Sequence, residues 1–398
     1  MQSTEDEIIR RLTEQCSVVT GRQAISVQNM ERIGDGWECD VYSFDLAVPY
    51  PLKGNTESAP EQSTYPVQVP NKQRGPQKTG YGSKEETLIP LILRLHIDKS
   101  QPQAAIKCQR EFDIMNHLYN AKYPVPEVLG CQTDPSILGA PFIIMERISG
   151  TTLAQKYSKG GREDKLRCLD LFTSLYVRLH SLDPFKFDPD SASLDTYFIM
   201  EKELAEFGRY RHLLNDGVLG AALSWLESNV RQVEPARPSI IHFDFHPENI
   251  LVKDMLKQNE NYTPFTARHE DLAQAKRPEM AFVIDWTQSR VSDFRFDLAW
   301  SLLLMEGNEG RAMLEGYIRK RPKQEIQSLD YFIVFACVRR LASIYGSITH
   351  GADNFGMRPG AEKTMKKQVG HIRRLYNILR SKSGLTLPEL NKWIGKLE

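Results

Sequence analysis

The stretch Ile240-Ile241-His242-Phe243-Asp244-Phe245-His246-Pro247-Glu248-Asn249-Ile250-Leu251-Val252 most constrains how this chain can fold. Two apolar runs flank a polar centre, and Pro247 forbids one unbroken strand through it, because proline lacks the N–H that a strand ladder needs. The run predicts strand, tight loop, strand. A second apolar run, Phe282-Val283-Ile284-Asp285-Trp286, also delivers a carboxylate to its end. Asp244, Asn249 and Asp285 would then gather at strand ends. One carboxylate can serve as a base for a hydroxyl. An Asn and an Asp are hard oxygen ligands of the kind Mg²⁺ takes together with substrate phosphates.

The alternation His242, Asp244, His246 supports a rival reading, because imidazole and carboxylate ligands facing one side of a strand suit a transition-metal hydrolase. That reading gives Asn249 no role and finds no further histidine cluster to complete a shell. The spacing His-x-Asp-x-x-x-x-Asn is that of kinase catalytic loops, in which the Asp faces the acceptor hydroxyl and the Asn a metal. Taken with Ile284-Asp285-Trp286 and Asp297-Leu298-Ala299, it resembles the aminoglycoside phosphotransferase and choline kinase family. Thr287-Gln288-Ser289-Arg290 follows Asp285-Trp286, with no glycine where protein kinases carry Asp-Phe-Gly.

The resemblance covers about residues 22 to 350 and implies a bilobal α+β fold of the protein-kinase type, with an antiparallel five-stranded N-lobe and a mainly helical C-lobe. It divides the chain into residues 1–145, a hinge at 146–150 and a C-lobe at 151–398, with insertions near 49–86 and 254–280. It implies ATP and Mg²⁺ in the cleft, Asp244 as catalytic base, Asn249 and Asp285 on the metal, His242 bracing the loop, and Asp297 bracing it from a helix. Arg94 stands where the family carries a lysine for the nucleotide phosphates, and Glu111 would orient it. Gly34 and Gly36, in the turn Gly34-Asp35-Gly36-Trp37-Glu38-Cys39-Asp40, would cover the phosphates through backbone N–H groups. The acids of that turn would repel phosphate if they faced inward. Met145 would lie behind the adenine, with Glu146 C=O and Ile148 N–H on its edge.

The residues themselves give the elements. Thr4-x-x-Glu7 ahead of Ile8, Ile9, Leu12 and Cys16 predicts a capped helix. Strands are predicted at 27–33, from 41, at 87–96, at 124–129 and at 141–145. Helices are predicted at 104–120, with Ile106, Phe112, Met115, Leu118 and Tyr119 as the apolar face, and at 165–182, 197–213 and 218–233. Three more follow at 310–319, 326–348 and 361–380. His180 is expected to be structural. The segment from about Pro49 to Glu86 is rich in Pro, Gly, Gln, Ser, Thr and Lys and lacks aliphatic periodicity, which predicts a flexible insertion.

Lys+Arg and Asp+Glu both number 51, so no basic excess points to nucleic acid. Six scattered cysteines without a C-x-x-C pair predict reduced thiols and a cytoplasmic protein. The acidic, polar N-terminus does not read as a signal peptide. The most apolar run, Tyr331–Val338, ends at Arg339-Arg340, too short to span a bilayer. The expected function is transfer of the ATP γ-phosphate to a hydroxyl of a small molecule that is aminoglycoside-, sugar- or amino-alcohol-like. Two other readings stay open: a non-catalytic or protein-directed nucleotide-binding scaffold, and the metal hydrolase built on His242, Asp244 and His246. The sequence does not name the acceptor or the oligomeric state.

Overall fold

The computed structural model describes residues 5–35, 38–49, 86–98, 100–207, 218–253, 280–305, 307–321, 326–355 and 357–398. Gly36, nearly all of both predicted insertions, and the end of the helix expected to reach residue 213 lie outside them.

Helix α1 (Glu5–Thr20) leads into β1 (Ser26–Asp35), β2 (Cys39–Pro49), β3 (Glu86–His96), α2 (Gln101–Asn120), β4 (Val128–Gln132) and β5 (Phe142–Glu146). The five strands make one antiparallel sheet in the order β1-β2-β3-β5-β4. Period-two alternation sorts β3 by face. Leu91 and Leu93 are buried with Leu12 and Cys16 of α1. Ile92 packs into a different core, and Arg94 shares its parity, so Arg94 points toward α2. The buried stripe of α2 is Ala104, Cys108, Glu111, Ile114, Met115 and Leu118. The expected apolar face is therefore rotated: Ile106 is exposed, and a carboxylate, Glu111, sits in the middle of the buried stripe.

Beyond Gly150 the chain forms β6 (Thr151–Thr152), α3 (Leu153–Lys159), α4 (Arg162–Leu179), α5 (Pro189–Ala192), α6 (Thr196–Glu206) and α7 (Gly220–Asn229). Gly150 is required sterically, because a Cβ there would lie 2.5 Å from the Val252 carbonyl oxygen. Strands β7 (Ser239–Ile241) and β10 (Arg290–Ser292) pair, and β8 (Ile250–Lys253) pairs with β6 and with β9 (Met280–Val283). The β8–β9 hairpin agrees with the predicted pairing across the 254–280 segment. Helices α8 (Arg295–Leu304), α9 (Asn308–Lys320), α10 (Leu329–His350), α11 (Ala361–Lys366), α12 (Val369–Ser383) and α13 (Pro388–Gly395) complete the C-lobe. The single helix predicted at 361–380 is broken between Lys366 and Val369.

Helix α10 is long and apolar enough to cross a membrane by length and composition, but 72% of its apolar window is buried in the fold. It is the central core helix, and Phe332, Val338 and Leu341 are fully buried. One hydrophobic core runs through both lobes: Ile114, Val125 and Met145 cluster with Phe172, Ile250, Val283 and Trp286. That shared core fixes how the β3–α2 face meets the strand ends of the C-lobe. All six cysteines are free thiols.

Candidate active site

The loop between β7 and β8 is held open by backbone strain and by one buried acid. Phe243 has φ +64° and Asp285 φ +68°, left-handed conformations that cost a non-glycine residue about 1–3 kcal/mol unless the surroundings enforce them. Asp297, fully buried in the first turn of α8, enforces the first of these. Its Oδ2 accepts the His242 N–H at 2.9 Å and its Oδ1 the Phe243 N–H at 2.6 Å. His180 Nε2 lies 3.1 Å from Asp297 Oδ2, with Tyr317 OH on the other ring nitrogen at 3.0 Å. His180 is thus structural, as expected. Asp297 has the bracing contacts expected of it.

The helix presents more of the same face to the loop. Residues i, i+3 and i+4 are neighbours on a helix, and α8 places Asp297, Trp300 and Ser301 there. Trp300 Nε1 donates to Asp244 Oδ1 at 2.7 Å, and Ser301 Oγ donates to Phe245 O at 2.7 Å. Trp300 belongs to no motif in the sequence, although its i+3 spacing from Asp297 was a readable signal.

His242 is fully buried. Its Nδ1 accepts the Asp244 N–H at 3.3 Å, so the ring proton sits on Nε2, which donates to Ile284 O at 3.0 Å. Both nitrogens are engaged by backbone, which corrects the hydrolase alternative: His242 is not a metal ligand in this arrangement. Asp244 and His246 do approach each other, with Oδ2 and Nε2 3.7 Å apart. Among the described residues no group of three His, Cys, Asp or Glu converges on a metal position.

The Asp244 side chain is 34% exposed. Burial alone would raise its pKa. The neighbouring His246, His242 and Arg339 outweigh that and hold the carboxyl well below the usual carboxylate range. Asn249 Nδ2 donates to Asp244 O at 3.1 Å, which orients the amide so that Oδ1 is the atom available as a ligand. The Asn249 carbonyl accepts the Ile284 N–H at 2.9 Å and so ties the loop to the second strand.

Across the cleft, β3 and α2 deliver the cation. Arg94 Nε donates to Glu111 Oε2 at 3.1 Å, and Arg94 Nη2 donates to Asp285 Oδ1 and, at 2.9 Å, to Thr287 Oγ1. Glu111 is 1% exposed, accepts the Trp286 N–H at 3.2 Å, and lies 3.2 Å from His96 Nε2. Burial would raise the Glu111 pKa, but Arg94, His96 and the Trp286 N–H bring it down to about 2. Asp285, 38% exposed, keeps one face on Arg94. The structure therefore brings Arg94, Glu111 and Asp285 together across 191 residues of sequence. Thr287 and His96 belong to this cluster and were not foreseen.

Gly34 lies in β1 opposite Val41, beside the turn. Of the turn acids, Asp40 is paired with Arg32 at 2.6 Å and with Arg358, which reaches over from beyond α10. Glu38 does face the cleft, where Gln288 Nε2 lies 3.3 Å away and Lys107 Nζ 3.7 Å away. Burial raises the Glu38 pKa; Lys107 opposes this and Asp285 adds to it. At the expected hinge, Met145 and Ile148 are buried. The Glu146 N–H donates to Glu127 O at 2.8 Å, and Glu146 Oε1 is 3.9 Å from Lys253 Nζ.

Residues 81–260 match the model of the phosphotransferase enzyme family. A curated relative, acyl-CoA dehydrogenase family member 10 of Mus musculus, is 24% identical over 216 residues, which is 54% of this chain and only 18% of that protein. Among solved structures, a candidate aminoglycoside phosphotransferase of Ralstonia eutropha JMP134 superposes with TM-score 0.60 at 14% identity, covering 94% of this chain and 98% of that one. A thermostable aminoglycoside phosphotransferase in ternary complex with ADP and hygromycin B gives TM-score 0.51 at 14% identity, covering 94% and 99%. Plasmodium vivax ethanolamine kinase gives TM-score 0.52 at 12% identity, covering 93% and 87%. The chain is thus related in sequence to the phosphotransferase enzyme family across residues 81–260, and across nearly its whole length it has the bilobal kinase-like fold of the aminoglycoside phosphotransferases and ethanolamine kinase.

Proposed function

We propose that this protein is a kinase that transfers the γ-phosphate of ATP to a hydroxyl group of a small molecule. The observation that carries the reading is that three groups are tied together by short contacts: a partly exposed Asp244, an Asn249 whose amide bonds the Asp244 carbonyl and whose own carbonyl bonds Ile284, and an Asp285 fastened to Arg94. The relatives in fold support it, since one was solved with ADP and an aminoglycoside and another is an ethanolamine kinase.

Asp244 would accept the hydrogen bond of the acceptor hydroxyl and take its proton as the new O–P bond forms. The Trp300 indole N–H engages Oδ1 and His246 Nε2 lies 3.7 Å from Oδ2, so the two neighbours would together hold the carboxylate in place for the acceptor. Arg94 would bind phosphate oxygens, and Glu111 on its Nε sets the plane of the guanidinium. Asn249 Oδ1 and the Asp285 carboxylate fit Mg²⁺ chemically: both are hard oxygen donors, and this ion usually takes one or two carboxylates with the remainder from phosphates and water. When bound, Mg²⁺ would supply charge neutralisation on the phosphates. The chain's own contribution is positioning, and well-oriented groups contribute roughly 7–11 kcal/mol to such reactions. Glu146 and Ile148 would offer backbone groups to the adenine, with Met145 behind it, and the β1–β2 turn at Gly34 and Gly36 would cover the phosphates.

The test is ADP release from Mg-ATP against a panel of hydroxyl compounds, with Asp285→Ala as control. Acceptor-dependent ADP that disappears in the variant supports the reading. No thermal shift with Mg-ATP would overturn it, and a shift without any turnover would favour a nucleotide-binding scaffold.

A further inference from the structure

Two thiols meet between α2 and the edge of the N-lobe sheet. Cys108, on α2, is fully buried, and Cys131, on β4, is half-buried. Their sulfurs lie 3.5 Å apart across 23 residues of sequence. Cys108 Sγ also lies 3.9 Å from the Gln132 carbonyl oxygen, and Cys131 Sγ lies 3.9 Å from Gln109 Oε1. A closure of about 1.5 Å would bring the two sulfurs to the bonded separation of a disulfide. The other four cysteines, Cys16, Cys39, Cys168 and Cys337, are buried, so Cys131 is the sulfur that an oxidant in solution meets first. The contact with Cys131 and burial push the Cys108 thiol up, so Cys108 keeps its proton and reacts second.

Each thiol is one step from the Arg94–Glu111 pair. On α2, Cys108 and Glu111 are three residues apart and share the buried stripe. Glu111 accepts Arg94 Nε at 3.1 Å and the Trp286 N–H at 3.2 Å. On the sheet, Cys131 stands opposite Ile143 of β5, and Ile143 stands opposite Arg94 of β3. Residues directly opposite across strands share one face, so Cys131, Ile143 and Arg94 form one row facing α2. A bond between the two sulfurs would join the helix turn that carries Glu111 to the row that carries Arg94. Close-packed interiors transmit such a displacement instead of absorbing it.

We propose that Cys108 and Cys131 form a reversible oxidation site, at which a peroxide converts the two thiols to a disulfide that displaces Glu111 against Arg94 and weakens nucleotide binding. The second effect rests on the phosphotransfer reading of Arg94; the first does not. Peroxide oxidises the Cys131 sulfur to a sulfenic acid: its O–O bond breaks, one oxygen stays on sulfur and the other leaves as water. The Cys108 sulfur then displaces the sulfenic hydroxyl. The S–S bond forms, the Cys108 S–H bond breaks, and that proton departs with the hydroxyl as a second water. A dithiol reverses the bond by exchange.

The test treats the whole chain with hydrogen peroxide, blocks the remaining thiols after denaturation and maps the peptides by mass spectrometry. The expected result is a crosslink between the peptides that carry Cys108 and Cys131, removed by dithiothreitol and absent from Cys131→Ser and from Cys108→Ala. Calorimetric titration with Mg²⁺ and a non-hydrolysable ATP analogue should show affinity about tenfold weaker after oxidation, the cost of one impaired charged hydrogen bond. Cys131→Ser should bind the analogue equally well before and after peroxide. Thiols that stay free, or Cys131 carried to sulfinic acid with no crosslink, would overturn the oxidation site. A crosslinked protein with unchanged affinity would overturn its coupling to Glu111. Failure of the reduced wild-type protein to bind the analogue would instead sink the phosphotransfer reading, with the crosslink still deciding the oxidation site.

Discussion

Replacing Asp297 by Asn removes one charge and leaves the side chain the same size, yet it should unsettle the whole loop from His242 to Asn249. The carboxylate accepts the N–H groups of His242 and Phe243, at 2.9 and 2.6 Å, with His180 Nε2 on the same oxygen as His242 at 3.1 Å. An amide keeps one oxygen acceptor and turns an NH₂ toward a neighbouring donor. Hydrogen bonds to a charged group contribute about 1.5–3 kcal/mol each, so losing one and weakening another costs about 3–5 kcal/mol, in the range for breaking a buried ionic network. For a chain of 398 residues, whose unfolding entropy is about 0.8 kcal/mol/K, that corresponds to a fall in Tm of roughly 4–6 °C. The freed Phe243 would relax from φ +64° and carry Asp244 with it. A shift of about 1 Å in a reacting group can cost about 10²-fold in rate. Paired thermal melts and acceptor-dependent ADP release measure both effects. An Asp297→Asn protein that melts within about 2 °C of wild type and keeps kcat within threefold would refute the bracing argument.

Asp244→Asn should lower kcat by about 10²–10⁴ while ADP binding, followed by thermal shift, stays as in wild type. Because Asp244 is held below the usual carboxylate range, its ionisation should not give an acid limb to the rate profile between about pH 5 and 7; a limb there that vanishes in Asp244→Asn would contradict this. Glu111 has a pKa lowered from 4.5 to about 2, so its contribution to stability is full above pH 4.5 and is lost as pH falls toward 2. Glu111→Gln should flatten the stability curve in that window, as read by chemical denaturation at stepped pH. Chelation of Mg²⁺ by EDTA should abolish ADP release, and Asp285→Asn should raise the Mg²⁺ concentration needed for half-maximal rate at least tenfold; an unchanged requirement would remove Asp285 from the metal site.

The local geometry of the 242–249 loop was readable from the chain alone, for a physical reason. His242, Asp244 and Asn249 lie within a single loop, so their relative placement is set by a handful of dihedrals around Pro247. Strand alternation likewise put Arg94 on the face away from Leu91 and Leu93. Helix 104–120 was legible as a helix but not in its orientation, because Glu111 in place of an apolar residue disguised the buried stripe and Ile106 falsely extended another. A side chain that is buried only because a distant partner neutralises it leaves no periodic trace in the sequence.

Tertiary structure alone decided the partners. Arg94 meets Asp285 from 191 residues away, and Arg339 meets the Phe243 carbonyl from 96. Trp300 reaches Asp244 because α8 packs beneath the loop, and the left-handed backbone at Phe243 and Asp285 exists because buried acceptors and neighbours enforce it. Short-range geometry is written in residue order and period. Distant neighbours follow from how whole faces pack, so the make-up of the 242–249 loop came from the sequence, and the side chains that meet it from elsewhere in the chain came from the fold.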